Sequence, residues 1–474
     1  MNHRTPAVAR KPRIGLVAGG LGAYWPQFPD LLPQLERSAA RVVERMRAFD
    51  AEIVDTGFIS DAQQGAEAAA KLRAADCDLI VGFLTTYMTA SMLVPVARRS
   101  GAPVLLINLQ PTPSMDHATF DTGQWLAYCG ACPLPEMANA FERVGVEFRS
   151  VSGHLEDERA WERIGRWIRA AGVRSVLGNG RHGLMGHLYP GMYDVSTDLT
   201  MVTGNLGGHM EVLEFDDLRV RVEKVSDDEV EAKLAETRDV FDLDGSVVEE
   251  DLRWAARVSV GLDALVADFD LDSLAYYHRG LDGETHERLG AGMILGASLL
   301  TARSVPTCGE YELRTSLAML IADRLGAGGS FTELQALDFT AGVVEMGHDG
   351  PGHLAISERK PLLRGLGVYH GKRGWGVSVE FDVRHGPVTL VGLGQGRDGS
   401  YRLVAAEGEV VGGPLLEIGN TTSRVDFGCD PGEWTDAWSA SGVGHHWALA
   451  TGRLLPDLRA VAGLTGIDLV EVSV

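Results

Sequence analysis

The chain has 474 residues, enough for roughly two to four domains of ordinary size, with 45% apolar and 23% charged residues. A net charge of −22 repels phosphate backbones and anionic lipid, which argues against nucleic-acid and membrane partners. No apolar segment follows the basic N-terminus, and five cysteines in so long a chain are not a disulfide framework, so a reducing, cytoplasmic location is expected.

Arg13–Gly19 (RIGLVAG) is an apolar run that stops at glycines, the pattern of a buried parallel strand. Leu31–Ala48 has helical spacing. A strand at Glu52–Val54, a helix near Asp61–Ala75, a strand at Asp78–Leu84, a helix near Thr89–Ser100 and a strand at Val104–Leu109 follow. Such alternation predicts a doubly wound parallel sheet. Helices at Glu136–Val144 and Glu156–Ala171 and a strand at Ser175–Gly178 continue it, whereas Gly178–Tyr193, rich in Gly, His and Met, fits neither element. Helices are predicted around Asp227–Val240, Val248–Asp263, Gly290–Arg303 and Tyr311–Leu325, with a strand at Leu274–Tyr277. The most apolar stretch, Ala291–Thr301, is too short to span a bilayer and reads as buried helix. From about Phe339, Gly-rich turns separate Trp375–Phe381, Pro387–Gly394 and Tyr401–Glu407, which predicts antiparallel β structure. A helix near Trp447–Ala462 and a strand near Asp468–Val474 close the chain. The expected architecture is α/β, with two doubly wound parallel-sheet domains (1–172 and 173–305) and a C-terminal domain with an antiparallel β barrel (306–474).

Four residues in Gly-rich or loop-like contexts are candidates for chemistry: Glu310 in Cys-Gly-Glu-Tyr-Glu, Glu333 in Gly-Gly-Ser-Phe-Thr-Glu, His348 in Met-Gly-His-Asp-Gly and His446 in Gly-Val-Gly-His-His-Trp. Two carboxylates and two imidazoles form a mixed oxygen and nitrogen set suited to Mn²⁺, Fe²⁺, Co²⁺ or Zn²⁺. Spacing alone does not single this set out.

Resemblance does. Pro306–Leu325, Gly328–Phe339, His348 and Gly442–Trp447 resemble the C-terminal half of the L-arabinose isomerase and L-fucose isomerase family, closest to the L-arabinose enzymes, and His154–Trp167 resembles their N-terminal domain. The resemblance implies that Glu310, Glu333, His348 and His446 hold a divalent ion, usually Mn²⁺, with His445 an alternative to His446 and Glu312 an alternative to Glu310. It implies that Glu310 and Glu333 also act as base and acid in an aldose–ketose isomerisation through an enediol(ate). It further implies a monosaccharide substrate and a homo-oligomer, trimer or hexamer. The sugar-contact loops depart from the pattern. Gly19–Trp25 (GGLGAYW) keeps only Tyr24, and Tyr128–Glu136 (YCGACPLPE) has Cys132 or a neighbour where a sugar-contacting histidine is expected. An epimerase, a modified-sugar isomerase or a non-catalytic sugar-binding protein on the same scaffold are the alternatives.

Three motifs have a plainer reading. Cys129-Gly-Ala-Cys132 resembles a redox pair, but several βα units precede it, so a packing or substrate-loop role is expected. Gly19-Gly20-Leu21-Gly22 lacks the full dinucleotide fingerprint and reads as a strand-end turn. His182, His187 and His209 lie in Gly-rich stretches, and His187 is a candidate for the sugar cleft.

Overall fold

In the computed structural model, the apolar run Arg13–Gly19 is strand β1, buried along nearly its whole length. It is followed by α1 (Leu31–Arg47), β2 (Glu52–Ile59), α2 (Ala62–Ala74), β3 (Leu79–Leu84), α3 (Ala90–Ser100), β4 (Val104–Gln110), the short α4 (Thr122–Leu126), α5 (Pro133–Val144), β5 (Phe148–His154) and α6 (Glu158–Asn179). The strands pair in parallel in the order β2-β1-β3-β4-β5, a doubly wound sheet. The structure describes residues 11–279, 285–369, 372–373 and 375–474. It divides into two units, one ending at Ser175 and the other running from Val176 to Val474.

The second unit begins inside α6, so the strand expected at Ser175–Gly178 is instead the last turns of that helix. The strand starts three residues later, as β6 (Arg181–Gly186), in the segment whose glycines and histidine hid it. Then come α7 (Leu199–Leu206), β7 (His209–Leu213), α8 (Phe215–Val222), α9 (Asp227–Val240), β8 (Asp242–Leu243), α10 (Glu249–Phe269), β9 (Ser273–Tyr277), α11 (Thr285–Ala302), β10 (Thr307–Cys308) and α12 (Leu313–Arg324). Four of these strands form a second parallel sheet, ordered β10-β9-β6-β7. No described helix is long and apolar enough to cross a membrane.

The remainder is β-rich: β11 (Ser330–Asp338), β12 (Val343–His348), β13 (Leu362–Gly365), β14 (Val368–Tyr369), β15 (Lys372–Arg373), β16 (Val377–Glu380), β17 (Gly386–Gln395), β18 (Tyr401–Val410), β19 (Thr421–Asp426), α13 (Pro431–Ala440), β20 (Trp447–Thr451), α14 (Leu455–Thr465) and β21 (Asp468–Glu471). Seven of the strands form one sheet, ordered β17-β20-β11-β12-β19-β18-β21. Within it β17 also pairs with β18, and β21 joins β18 in parallel rather than antiparallel. The helix expected over Trp447–Ala462 is thus a strand and a separate helix. Gly452, at φ 91°, breaks the run, and Pro456 sits in the first turn of α14. Trp434, Trp438 and Trp447 join this sheet in one apolar core with Leu252, Ile294 and Leu295 of α10 and α11.

Gly347 sits one residue before His348, where β12 crosses β19. A Cβ there would lie 1.6 Å from the Thr421 carbonyl oxygen, a backbone atom that cannot swing aside. Gly347→Ala is therefore expected to destabilise the fold by about 3 kcal/mol or more through overpacking. Chemical denaturation giving a wild-type midpoint would contradict this reading of the strand crossing.

Candidate metal centre

Three adjacent strands, in the order β20-β11-β12, bring their functional groups to one place. Thr332 of β11 pairs with Trp447, directly after His446. Its neighbour Glu333 pairs on the other side with Gly347, directly before His348. Strand pairing thus brings His446, Glu333 and His348 together, although His446 lies 113 positions after Glu333 and His348 only 15.

 The register of the sheet removes that separation: Glu333 and His446 are distant in sequence and adjacent across β11 and β20.

Glu310 arrives from the carboxyl end of the second parallel sheet, where open α/β sheets present ligand-binding loops. It lies between β10 and α12, and both Glu310 (φ 59°) and Tyr311 (φ 63°) are left-handed. Non-glycine residues in that region cost about 1–3 kcal/mol each, strain that persists only where the surroundings enforce it. Here Tyr311 N–H donates to the Tyr276 carbonyl (3.1 Å) and Glu312 N–H to that of Gly309 (3.2 Å).

His446 Nε2 is the hub. It lies 3.3 Å from Glu310 Oε2, 3.3 Å from His348 Nε2 and 3.9 Å from Glu333 Oε2. His348 Nε2 lies 4.0 Å from Glu333 Oε1. One ligand atom each from Glu310, His348 and His446 fits within 4.8 Å, as does one each from Glu333, His445 and His446. Phe331 packs against both rings, with centroids 4.2 Å from His348 and 4.7 Å from His446. All four expected ligands are therefore brought together, with His445 beside them.

Burial governs the charges. Desolvation raises the Glu310 carboxyl to about 7, although His348 and His445 oppose the shift. Its Oε2 is buried and has no hydrogen-bond partner in the protein. Burial disfavours a charge on His348, but the side chain and carbonyl of Asp349 and the charge of Glu333 outweigh it and hold the ring up to about 9. His446 is pushed far below the ordinary histidine range by burial, with the nearby His348 charge second. An unpartnered buried carboxylate oxygen facing imidazole nitrogens is a donor set that fits a divalent cation of the Mn²⁺ to Zn²⁺ type.

The alternatives occupy different positions. Glu312 is fully buried on the other side of the His446 ring, its Oε2 4.0 Å from Nδ1 and its Oε1 3.4 Å from Arg314 Nε. His445 Nδ1 lies 2.5 Å from Asp194 Oδ2, and His445 Nε2 4.0 Å from Glu310 Oε2. Asp194 carried no sequence signal, because its partner is 251 residues away.

His187 follows β6. Its Nδ1 faces the Leu188 carbonyl (2.9 Å), and its Nε2 accepts from the Arg279 backbone N–H (3.4 Å). Both ring nitrogens are thus occupied by backbone, while the ring packs edge-on against Tyr277 at 5.3 Å. His182 is buried between Ser273 and Leu177, which lowers its pKa to about 4 by desolvation, and His209 pairs with Glu211. Tyr24 and Cys132 belong to the first unit. Tyr24 packs with Trp25, Phe28 and Phe58 around Leu31, Leu35 and Cys129. Cys132 is exposed at the start of α5, whereas burial pushes the Cys129 thiol up to about 11, far from a reactive thiolate.

No protein-family model matches the chain. It is similar to the L-arabinose isomerase of Nocardioides sp., with 26% identity over 94% of this chain and 91% of that one. The L-arabinose isomerase of Acidothermus cellulolyticus is 24% identical, again over 94% and 91%. The sulfoquinovose isomerase of Alkalicoccus urumqiensis is 23% identical over 68% of this chain and 71% of that one.

The raised Glu310 pKa has a thermodynamic consequence in metal-free protein. The folded carboxyl binds its proton more tightly than the unfolded one, whose value is near 4.5. Between pH 4.5 and 7 the folded state holds more protons, so this group's contribution to stability falls as pH rises. Glu310→Gln should therefore gain on wild type across that window, by up to about 3 kcal/mol at pH 7. Denaturation in chelator at several pH values checks this, and a pH-independent difference would contradict it.

Proposed function

The chain is a homologue of the L-arabinose isomerases, and from that premise we propose that it is a metal-dependent aldose–ketose isomerase acting on a monosaccharide through an enediol(ate). One observation carries the reading: the buried, unpartnered Glu310 Oε2 converges with Glu333, His348 and His446, at distances a single cation bridges. In this reading Glu310, Glu333, His348 and His446 hold the ion, Mn²⁺ or another divalent metal. When bound, the ion polarises the sugar's carbonyl oxygen and stabilises negative charge developing on it.

The protein's own groups do the rest. Glu333, more open than Glu310, is the base that takes the proton from the carbon beside the carbonyl and returns it to the former carbonyl carbon. Glu310, buried beside His446, is the second carboxylate and moves a proton between the two sugar oxygens. His446, kept neutral by burial, offers a nitrogen lone pair. Phe331 excludes water from the imidazole faces. The divergent loops Gly19–Trp25 and Tyr128–Glu136 support a sugar other than L-arabinose, because lost hydroxyl partners weaken selection for the sugar that needs them. The same reading includes a closed barrel in the C-terminal sheet, supported by the β17–β18 pairing, and a cytoplasmic trimer or hexamer, supported by the resemblance.

The test is turnover of a panel of aldoses and ketoses by metal-stripped protein, before and after adding Mn²⁺, Co²⁺, Fe²⁺ or Zn²⁺. Isomerisation should depend on the ion, and L-arabinose should not be the best substrate. Glu333→Gln should fold and lose about 10²–10⁴-fold in kcat. Metal-loaded Glu333→Gln with near-wild-type turnover would remove Glu333 from the mechanism.

A further inference from the structure

His445 and His446 are sequence neighbours with opposite surroundings. The side chain of His446 is wholly buried, whereas that of His445 is 38% exposed. His446 Nε2 lies 3.3 Å from Glu310 Oε2, and His445 Nε2 lies 4.0 Å from the same atom. Both rings therefore turn a nitrogen toward the site, and either could reach for an ion.

Asp194 distinguishes them. It lies in the short turn Tyr193–Val195 and meets His445 twice. Its Oδ2 accepts from the His445 backbone N–H at 3.1 Å and from ring Nδ1 at 2.5 Å. A carboxylate only accepts, so Nδ1 carries the proton, and Nε2 is the ring nitrogen left facing the site. The double attachment fixes both the main chain and the ring, so His445 cannot rotate to offer Nδ1 without losing a charge-assisted bond. His446 has no such tether: its Nδ1 is buried without a hydrogen-bond partner.

We infer that Asp194 is a positioning residue that holds His445 out of the metal-ligand set and presents its Nε2 to a sugar oxygen. This rests on the isomerase reading. A carboxylate on the far nitrogen fixes the tautomer and orientation of an imidazole whether the ring meets an ion or a sugar, and its loss typically costs about 10–100-fold. The longer reach of His445 Nε2 to Glu310 (4.0 Å against 3.3 Å) and its exposure favour the sugar. The tether also joins the loop after β6 to the loop before β20.

The experiment uses full-length protein as wild type, Asp194→Asn, His445→Gln and the double variant. Nitrogen-15 NMR of histidine-labelled, metal-free protein identifies the His445 signal by its disappearance in His445→Gln. Wild type should show the Nδ1–H tautomer, and Asp194→Asn should shift or broaden it. Calorimetry should find Mn²⁺ affinity within about two-fold of wild type in His445→Gln. On the best substrate found, kcat/KM should fall about 10–100-fold in Asp194→Asn, and the double variant should be no worse than the poorer single one, as expected of residues acting as a unit. An unchanged His445 tautomer in Asp194→Asn, a collapse of Mn²⁺ affinity in His445→Gln, or losses that multiply in the double variant would each overturn the inference. If wild type isomerises no sugar with any ion, the isomerase reading fails, while the tautomer and affinity measurements still decide the role of Asp194.

Discussion

The carboxylate of Glu310 is held away from water on a left-handed backbone with no hydrogen-bond donor at Oε2, and the rest of the site answers that condition. An ionised carboxylate in such surroundings must take a proton, meet a cation or shift its neighbours. The protein uses imidazoles of unequal character. His348 is favoured as a cation by Asp349 and Glu333, and His446 is denied a proton by its own burial. Removing the His348 proton and the Glu310 proton together would leave two acids and two neutral imidazoles around one space, the state in which a divalent ion binds best. The proposed metal thus completes an electrostatic arrangement that the protein alone leaves unbalanced.

That arrangement needs a stiff frame. β20, β11 and β12 are neighbours in one sheet, so their three donors keep fixed spacing. The apolar core beneath, with Trp434, Trp438 and Trp447, anchors the same sheet. Gly347 lets β12 approach Thr421 closely, and the Thr421 hydroxyl and the His348 main chain hydrogen-bond to one another, which fixes the residue carrying the imidazole. Glu310 comes from a different sheet, and the strained turn that presents it is tied to Tyr276 of β9. The strain is sustained because both ends of the turn are anchored in buried elements.

In the first unit the aromatic cluster around Tyr24 and Cys129 has another character. It is an apolar packing centre at the carboxyl ends of the parallel strands, and its thiols are unpaired. Burial of Cys129 makes the Cys-Gly-Ala-Cys motif a poor nucleophile pair, and the same burial raises the Tyr24 hydroxyl.

Sequence periodicity determined four of the five strands of the first parallel sheet, the central ones because strands buried on both faces are apolar runs, and missed edge strand β5 (Phe148–His154), whose residues are mostly not buried. It also determined that acids and histidines in the C-terminal third sit in glycine-rich contexts, and motif resemblance drew Glu310, Glu333, His348 and His446 into one set. It misread β6, whose glycines and histidine dilute the strand pattern, and β20, whose apolar residues run on into α14 and mimic one helix. Only tertiary structure decided which face of His446 meets Glu310 and which meets Glu312, that His187 spends both ring nitrogens on backbone, and that Asp194 holds His445. The reason is physical: helix and strand patterns are set by neighbours a few residues apart, whereas burial, charge state and hydrogen-bond partners depend on atoms brought together from hundreds of residues away.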